Sequence, residues 1–167
     1  MTSEKTIDAV DAICAQWASE RPDLALQNME IIGRLKRCAA LVQPKLADTF
    51  AEFGLNIWEF DVLATLRRSG KPYCLAPTEL FSTLMITSGT MTHRMAQLEK
   101  RGLIERLANP DDARSKLVQL TQEGFELVDR AVTAHVANEE RILEGLDHQQ
   151  KAQLNENLRL LLARLES

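Results

Sequence analysis

Apolar residues recur at helical spacing through most of the chain and at near-alternate positions in one short stretch. From Thr6 to Glu20, Ile7, Val10, Ile13, Cys14 and Trp17 share a face, which predicts a first amphipathic helix. Arg21-Pro22-Asp23 interrupts it. Pro22 is placed to stand in the first turn of a second helix running to about Phe53, with Ile31, Ile32, Leu35, Leu41, Val42, Leu46 and Phe50 as apolar positions. Pro44 lies inside that run and should kink or break it, because proline lacks the backbone donor and clashes one turn back. Gly54 ends the segment. Asn56, with Glu59 three residues on, forms a capping box for a third helix that carries Trp58, Phe60, Val62, Leu63 and Leu66 and stops near Ser69-Gly70.

Lys71 to Leu75 reads as a short extended link, and Ala76-Pro77 opens a fourth helix from Thr78 to about Leu84. A brief turn at Met85-Ile86 leads to Thr87, an N-cap for a fifth helix ending at Lys100-Arg101-Gly102. Leu103 to Leu107 is a strand, Ala108 to Arg114 a turn, and Ser115 to Leu120 a second strand. Thr121 to Gly124 caps a sixth helix reaching about Leu143. Asp147 begins the last, with Leu154, Leu158, Leu161, Leu162 and Leu165. The fold class expected is mainly α with a small β-wing. Residues 1–167 are expected to form one domain, with 56–121 a winged helix-turn-helix lobe and 4–55 and 122–166 its helical flanks.

Composition changes this picture little. The 167 residues are 45% hydrophobic and 26% charged, with 5% aromatics, which suits Ala/Leu helix packing. Charge changes it more. The net is −4, yet residues 56–121 hold nine Lys/Arg against seven Asp/Glu, a net of +2, which leaves −6 for the flanks. A basic middle between acidic ends points to a polyanion partner for the lobe. Cys14, Cys38 and Cys74 are odd in number with no CxxC spacing, which fits reduced thiols in the cytoplasm, with Cys14 and Cys38 the candidates for any redox sensing. His93, His135 and His148 are dispersed, so no metal site is legible. No apolar run approaches a membrane span and the start lacks a signal-peptide pattern. No nucleophile–base pair or phosphate loop suggests an enzyme, and no cofactor is expected.

Helix, helix, turn, helix and hairpin in succession make a winged helix-turn-helix, whose second helix enters a major groove and whose wing reaches phosphates or the minor groove. The start of the fifth helix suits this: Thr87, Ser88, Thr90 and Thr92 are small hydroxyl residues that permit close backbone approach, while His93 and Arg94 add longer donors. On the wing, Arg114 and Lys116 supply charge. Asp111 and Asp112 repel phosphate and read as turn formers, Asp112 being able to hold the Arg114 guanidinium. The bland reading is a solvated turn and an ordinary helix cap.

The stretch THRMAQLEKRGLIERLANPDDARSKLVQLTQEG closely resembles the MarR family of transcription regulators. Gln97 to Gly102, Asp112 to Ser115 and Leu120 to Gly124 match its recognition-helix end, wing and closure in register, and the flanking helices match its dimerisation region. Many members have two adjacent arginines in the wing; here the first is Ala113. The resemblance implies a homodimer on double-stranded DNA, released by a small aromatic effector.

IDAVDAICAQWASERPDL, MEIIGRLKR and EFDVLATLRRSGKPY are similar to the PecS/HucR branch, the urate-responsive members. That branch implies a ligand site at Trp17, Asp61, Arg94 and Arg106, between the dimer region and the DNA-binding lobe, for urate or a related purine. An aromatic stacks on a flat purine and arginines pair with an anionic one. Taken singly, Trp17 could be core, Asp61 and Arg94 a structural ion pair, and Arg106 an exposed strand residue. Rival readings are a response to phenolic compounds or to cysteine oxidation, and a winged-helix protein-interaction module without DNA binding.

Overall fold

Side-chain caps set most helix boundaries in the computed structural model, which describes residues 7–84, 91–110 and 115–167, the side chains of Met91 and Thr92 excepted. Helix α1 (Ala9–Glu20) starts at Asp8, whose carboxylate accepts the amides of Val10 at 2.7 Å and Asp11 at 3.0 Å; Asp11 in turn accepts the Asp8 amide. The helix starts later than the Thr6 expected for it, because the Asp8 carboxylate caps it there and leaves Ile7 outside. Helix α2 (Gln27–Ala51) begins after Pro22 rather than around it. The Arg21 guanidinium grips Asp23 with two bonds of 2.7 and 2.6 Å, and Leu24 N–H donates to the Arg21 carbonyl, so Pro22 sits in a closed turn. Nor does Pro44 divide α2, which is one helix of 25 residues. One missing donor is carried by the ladder on either side of it.

Helix α3 (Ile57–Arg68) has the capping box its sequence predicts, with Asn56 and Glu59 exchanging bonds of 3.1 and 3.0 Å. Strand β1 (Cys74–Leu75) occupies part of the expected link, and helix α4 (Pro77–Ser82) follows, its first turn held by the Ala76 amide on Glu79. Helix α5 (Met91–Lys100), strands β2 (Ile104–Ala108) and β3 (Lys116–Leu120), and helices α6 (Gln122–Ile142) and α7 (His148–Leu165) complete the order. The sheet runs β1-β3-β2, all antiparallel, with Cys74 opposite Gln119 and Ile104 to Ala108 opposite Leu120 to Lys116. The turn at Met85-Ile86, the Thr87 cap and the wing tip at 111–114 lie outside the described residues.

The chain packs as two compact units, Met1–Lys45 and Leu46–Ser167. In the first, α1 lies on α2 through a charged clip and a close approach. Arg34 binds Asp8 at 2.8 Å and Asp11 at 2.6 Å, with Glu30 at 3.5 Å. Beside it, Val10 fits against Gly33 so closely that a Cβ there would stand 2.9 Å from a Val10 methyl.

The second unit holds the core. Val62, Leu63 and Leu66 of α3, Leu80 of α4, Leu98 of α5 and Val128 and Ala131 of α6 are fully buried, joined by Leu103, Ile104, Val118 and Leu120 from the strands and their root. Each fully buried leucine contributes about 1.5–3 kcal/mol relative to exposure. Phe50 and Phe60 stack at 4.0 Å, with the His135 ring 5.1 Å from each. At the root of the hairpin, Thr121 Oγ1 donates to the Gly102 carbonyl and accepts the Gly124 amide, while Thr121 N–H donates to the Leu103 carbonyl. A side chain on Gly124 would collide with that same Leu103 carbonyl, so only glycine fits.

Not every apolar face is covered. Helix α7 contributes no buried residue, and Leu154, Leu158, Leu160, Leu162 and Leu165 are exposed along it. Ile13, Trp17, Ile31, Ile32, Leu35 and Leu41 are exposed in the first unit. Among the described residues no helix is long and apolar enough to cross a membrane.

Candidate nucleic-acid interface and effector residues

The described part of α5 has two faces. Met95 and Leu98 are buried, while His93, Gln97 and Lys100 form an exposed polar stripe at positions i, i+4 and i+7. His93 Nε2 lies 3.2 Å from Gln97 Nε2, one turn on. Thr87, Ser88, Thr90 and Arg114 lie outside the described residues, as does the Thr92 side chain. Lys116 is exposed at the first position of β3, opposite Ala108. Just beyond, Asn109 Nδ2 donates to Ser115 Oγ at 2.8 Å and holds the two sides of the hairpin together.

Two arginines that the sequence reading left out anchor the neighbours of α5. Arg101 donates to Glu59 Oε1 at 2.6 Å and to the Gly54 carbonyl at 3.0 Å, tying the C-terminal end of α5 to the start of α3. Glu59 is almost fully buried and also serves the α3 cap, so one carboxylate holds two elements. Arg68 donates to the Thr83 carbonyl at 2.9 Å, satisfying the free end of α4.

Asp61, Arg94 and Arg106 belong to the second unit and Trp17 to the first. Asp61 is half-buried on α3. Burial pushes its carboxyl up from the ordinary value, while Arg68 and His135 pull it back. Arg94 does not pair with Asp61; its guanidinium lies over the Trp58 ring at 5.3 Å. Arg106, in β2, is half-buried rather than exposed. Its Nε is 3.2 Å from Glu99 Oε2 without the alignment of a hydrogen bond, so the pair is ionic and that N–H lacks a good acceptor. Trp17, on α1, is 43% exposed. Trp58 is the residue that sequence reasoning assigned to the core alone. The available signal was its place three residues before Asp61, on the same helix face.

Cys14 is buried and Cys38 exposed; burial, with help from Glu105, pushes the Cys74 thiol up. Among the described residues no cluster of His, Cys, Asp and Glu could hold a metal.

The sequence model of the MarR family matches residues 55–116, from the residue before the α3 cap to the start of β3. The chain is 42% identical to the HTH-type transcriptional regulator PecS of Dickeya dadantii, over 94% of this chain and 92% of that one. Its fold is similar to that of a MarR family transcriptional regulator from Streptomyces coelicolor solved in complex with DNA, with a TM-score of 0.75 and 25% identity over 86% of this chain and 91% of that one. It also resembles Escherichia coli MarR complexed with operator DNA, with a TM-score of 0.70 and 24% identity over 83% and 99% of the two chains, a likeness of fold alone. A helix-turn-helix with a three-stranded wing base, a closure that admits only glycine at position 124, and this degree of identity to PecS over nearly its full length place the chain in the MarR family of transcription regulators.

Proposed function

We propose that the chain works as a homodimeric repressor that binds a pseudo-palindromic operator and leaves it when a small aromatic effector, urate or a related purine, is bound. The observation that carries the DNA-binding part is the likeness to a regulator solved on DNA, together with the polar outer stripe of α5. The uncovered leucines of α7 and the exposed apolar residues of α1 and α2 support a second copy as their cover, in line with the dimerisation role expected for 4–55 and 122–166. Twofold symmetry sets two copies of α5 about 34 Å apart, one helical turn of DNA. Thr87, Ser88, Thr90, Thr92, His93 and Arg94 face the groove in this reading, and Arg114 and Lys116 face phosphate.

Trp17, Asp61, Arg94 and Arg106 are the effector residues of this reading. The loosely satisfied Arg106 and the Arg94 guanidinium, which has no carboxylate partner among the described residues, support it, since both can take an anion. The effector acts only if the DNA-free conformation binds it more tightly than the DNA-bound one.

Gel shifts with genomic fragments and thermal melting with a panel of purines and phenols test the two halves. A bound fragment should be lost steeply with added salt, and Arg114→Glu should weaken binding to all sequences alike. Urate should raise the melting temperature, and Trp17→Phe and Arg106→Ala should abolish the rise. Weak, salt-independent affinity for every fragment defeats the DNA reading; no shift with any purine defeats the urate reading.

A further inference from the structure

We infer that Trp58 and Arg101 are positioning residues for α5, with Glu59–Arg101 a fixed pivot at one end of the helix and Trp58–Arg94 a releasable stack nearer the other. The inference rests on the reading of α5 as the DNA-reading helix and adds to it two polar contacts that flank its buried Met95 and Leu98.

Trp58 and Glu59 are adjacent in the first turn of α3. Adjacent helical residues point about 100° apart, so they reach α5 along different directions. Their partners, Arg94 and Arg101, are seven positions apart, about two turns or 10 Å along the helix axis. Two contacts at that separation fix both the position and the tilt of a helix; one contact fixes only position.

The two differ in strength. Glu59 is almost fully buried, accepts the Arg101 guanidinium at 2.6 Å and holds the Asn56 amide as well. Arg101 also donates to the Gly54 carbonyl, so breaking this end strands a buried carboxylate and frees a backbone acceptor. Arg94 is held over Trp58 at 5.3 Å by an aromatic face alone. A ring quadrupole attracts a guanidinium more weakly than a full negative charge does. A planar anion offered to Arg94 therefore wins it from Trp58, while nothing of comparable strength competes for Arg101. The helix then keeps its C-terminal anchor and its buried Met95 and Leu98 but loses the contact that trims its tilt about them, which spoils a groove fit without unfolding the lobe.

The test uses the full-length protein with Trp58→Leu, Trp58→Phe, Arg101→Gln and Arg101→Lys. Three quantities are read: affinity for a bound operator fragment and for random DNA, the urate concentration that half-releases the operator, and amide exchange along α5. Arg101→Gln should weaken operator binding about tenfold while leaving random DNA nearly unchanged, and Arg101→Lys should recover part of the loss, since it can still meet Glu59 but not Gly54 as well. Trp58→Leu should weaken operator binding about threefold and lower the half-releasing urate concentration, with Trp58→Phe restoring both because it keeps an aromatic face. Exchange should rise along the whole of α5 in Arg101→Gln and only toward its N-terminal side in Trp58→Leu. Equal loss on operator and random DNA in Arg101→Gln would make Arg101 a phosphate contact and overturn its role. Identical behaviour of Trp58→Leu and Trp58→Phe would overturn the stack. If the wild type ignores urate, the effector reading falls and operator affinity still decides the inference. If it binds no fragment, the DNA reading falls and the exchange pattern decides, an unchanged α5 in both variants overturning the pivot and the stack alike.

Discussion

Helices α3 and α7 carry similar apolar stripes and meet opposite fates. Val62, Leu63 and Leu66 of α3 have no exposed surface, whereas Leu154, Leu158 and Leu162 of α7 are about half exposed and no residue of that helix is buried. Both helices are capped by a polar residue with a partner three positions on, Asn56 with Glu59 and Asp147 with Gln150. Periodicity therefore reports that a face is apolar, and capping reports where a helix begins. Neither reports whether the chain itself supplies the cover. In α3 it does; in α7 nothing among the described residues buries a side chain, and a second copy as the cover is the proposal made above.

The sharpest way to test that difference is to damage each stripe. Leu63→Ala should cost about 2–5 kcal/mol, lowering the melting temperature by about 5–15 °C at every protein concentration, because the cavity lies inside one chain. Paired Leu158→Lys and Leu162→Lys should leave the monomer folded and move it to a smaller sedimenting species, with a melting temperature that no longer rises with concentration. If sedimentation stays unchanged, α7 is not an assembly surface and the contrast with α3 loses its meaning. The smallest effect is expected where α1 is clipped to α2. Arg34 foremost holds the Asp8 carboxyl below its ordinary value, and the Asp8 amide together with Arg34 holds that of Asp11. A lowered carboxylate contributes stability that is present above its unfolded value and is lost as the pH falls through the folded one. Protection of the α1 amides, relative to their intrinsic exchange rate at each pH, should thus fall only in acid for the wild type, and already at neutral pH in Arg34→Met, with the core of the second unit unaffected. Equal acid sensitivity in both proteins would remove the clip from the account of α1.

The sequence showed best what local chemistry alone decides. The Asn56–Glu59 box, the Thr121 cap with Gly124 and the last helix start where the residues place them, because each cap bond spans three positions, and the two wing strands, close together in the sequence, fall within one residue of their expected bounds. It showed least where a distant partner decides. Pro22 was placed inside α2, but the Arg21–Asp23 pair draws it into a turn. Pro44 suggested a break, yet the long α2 ladder runs through it. Strand β1 has two residues, too few for any alternation, and exists only because β3 offers an edge. For the candidate site, Trp17, Asp61, Arg94 and Arg106 are named by resemblance alone. The pairings Trp58–Arg94, Glu99–Arg106 and Glu59–Arg101 are not legible in the sequence, since each joins residues from separate elements.

The knot at the hairpin's root has a consequence for how this kind of molecule can vary. Thr121 joins the Gly102 carbonyl to the Gly124 amide, and Gly124 cannot be enlarged without striking the Leu103 carbonyl. The strand ladder ends at Ala108 and Lys116, so residues added beyond it leave that knot untouched. Diversification of the wing is thereby channelled outward: descendants are free to lengthen, recharge or reshape its far end, while an insertion of one residue at its foot would disconnect α6 from the lobe it closes.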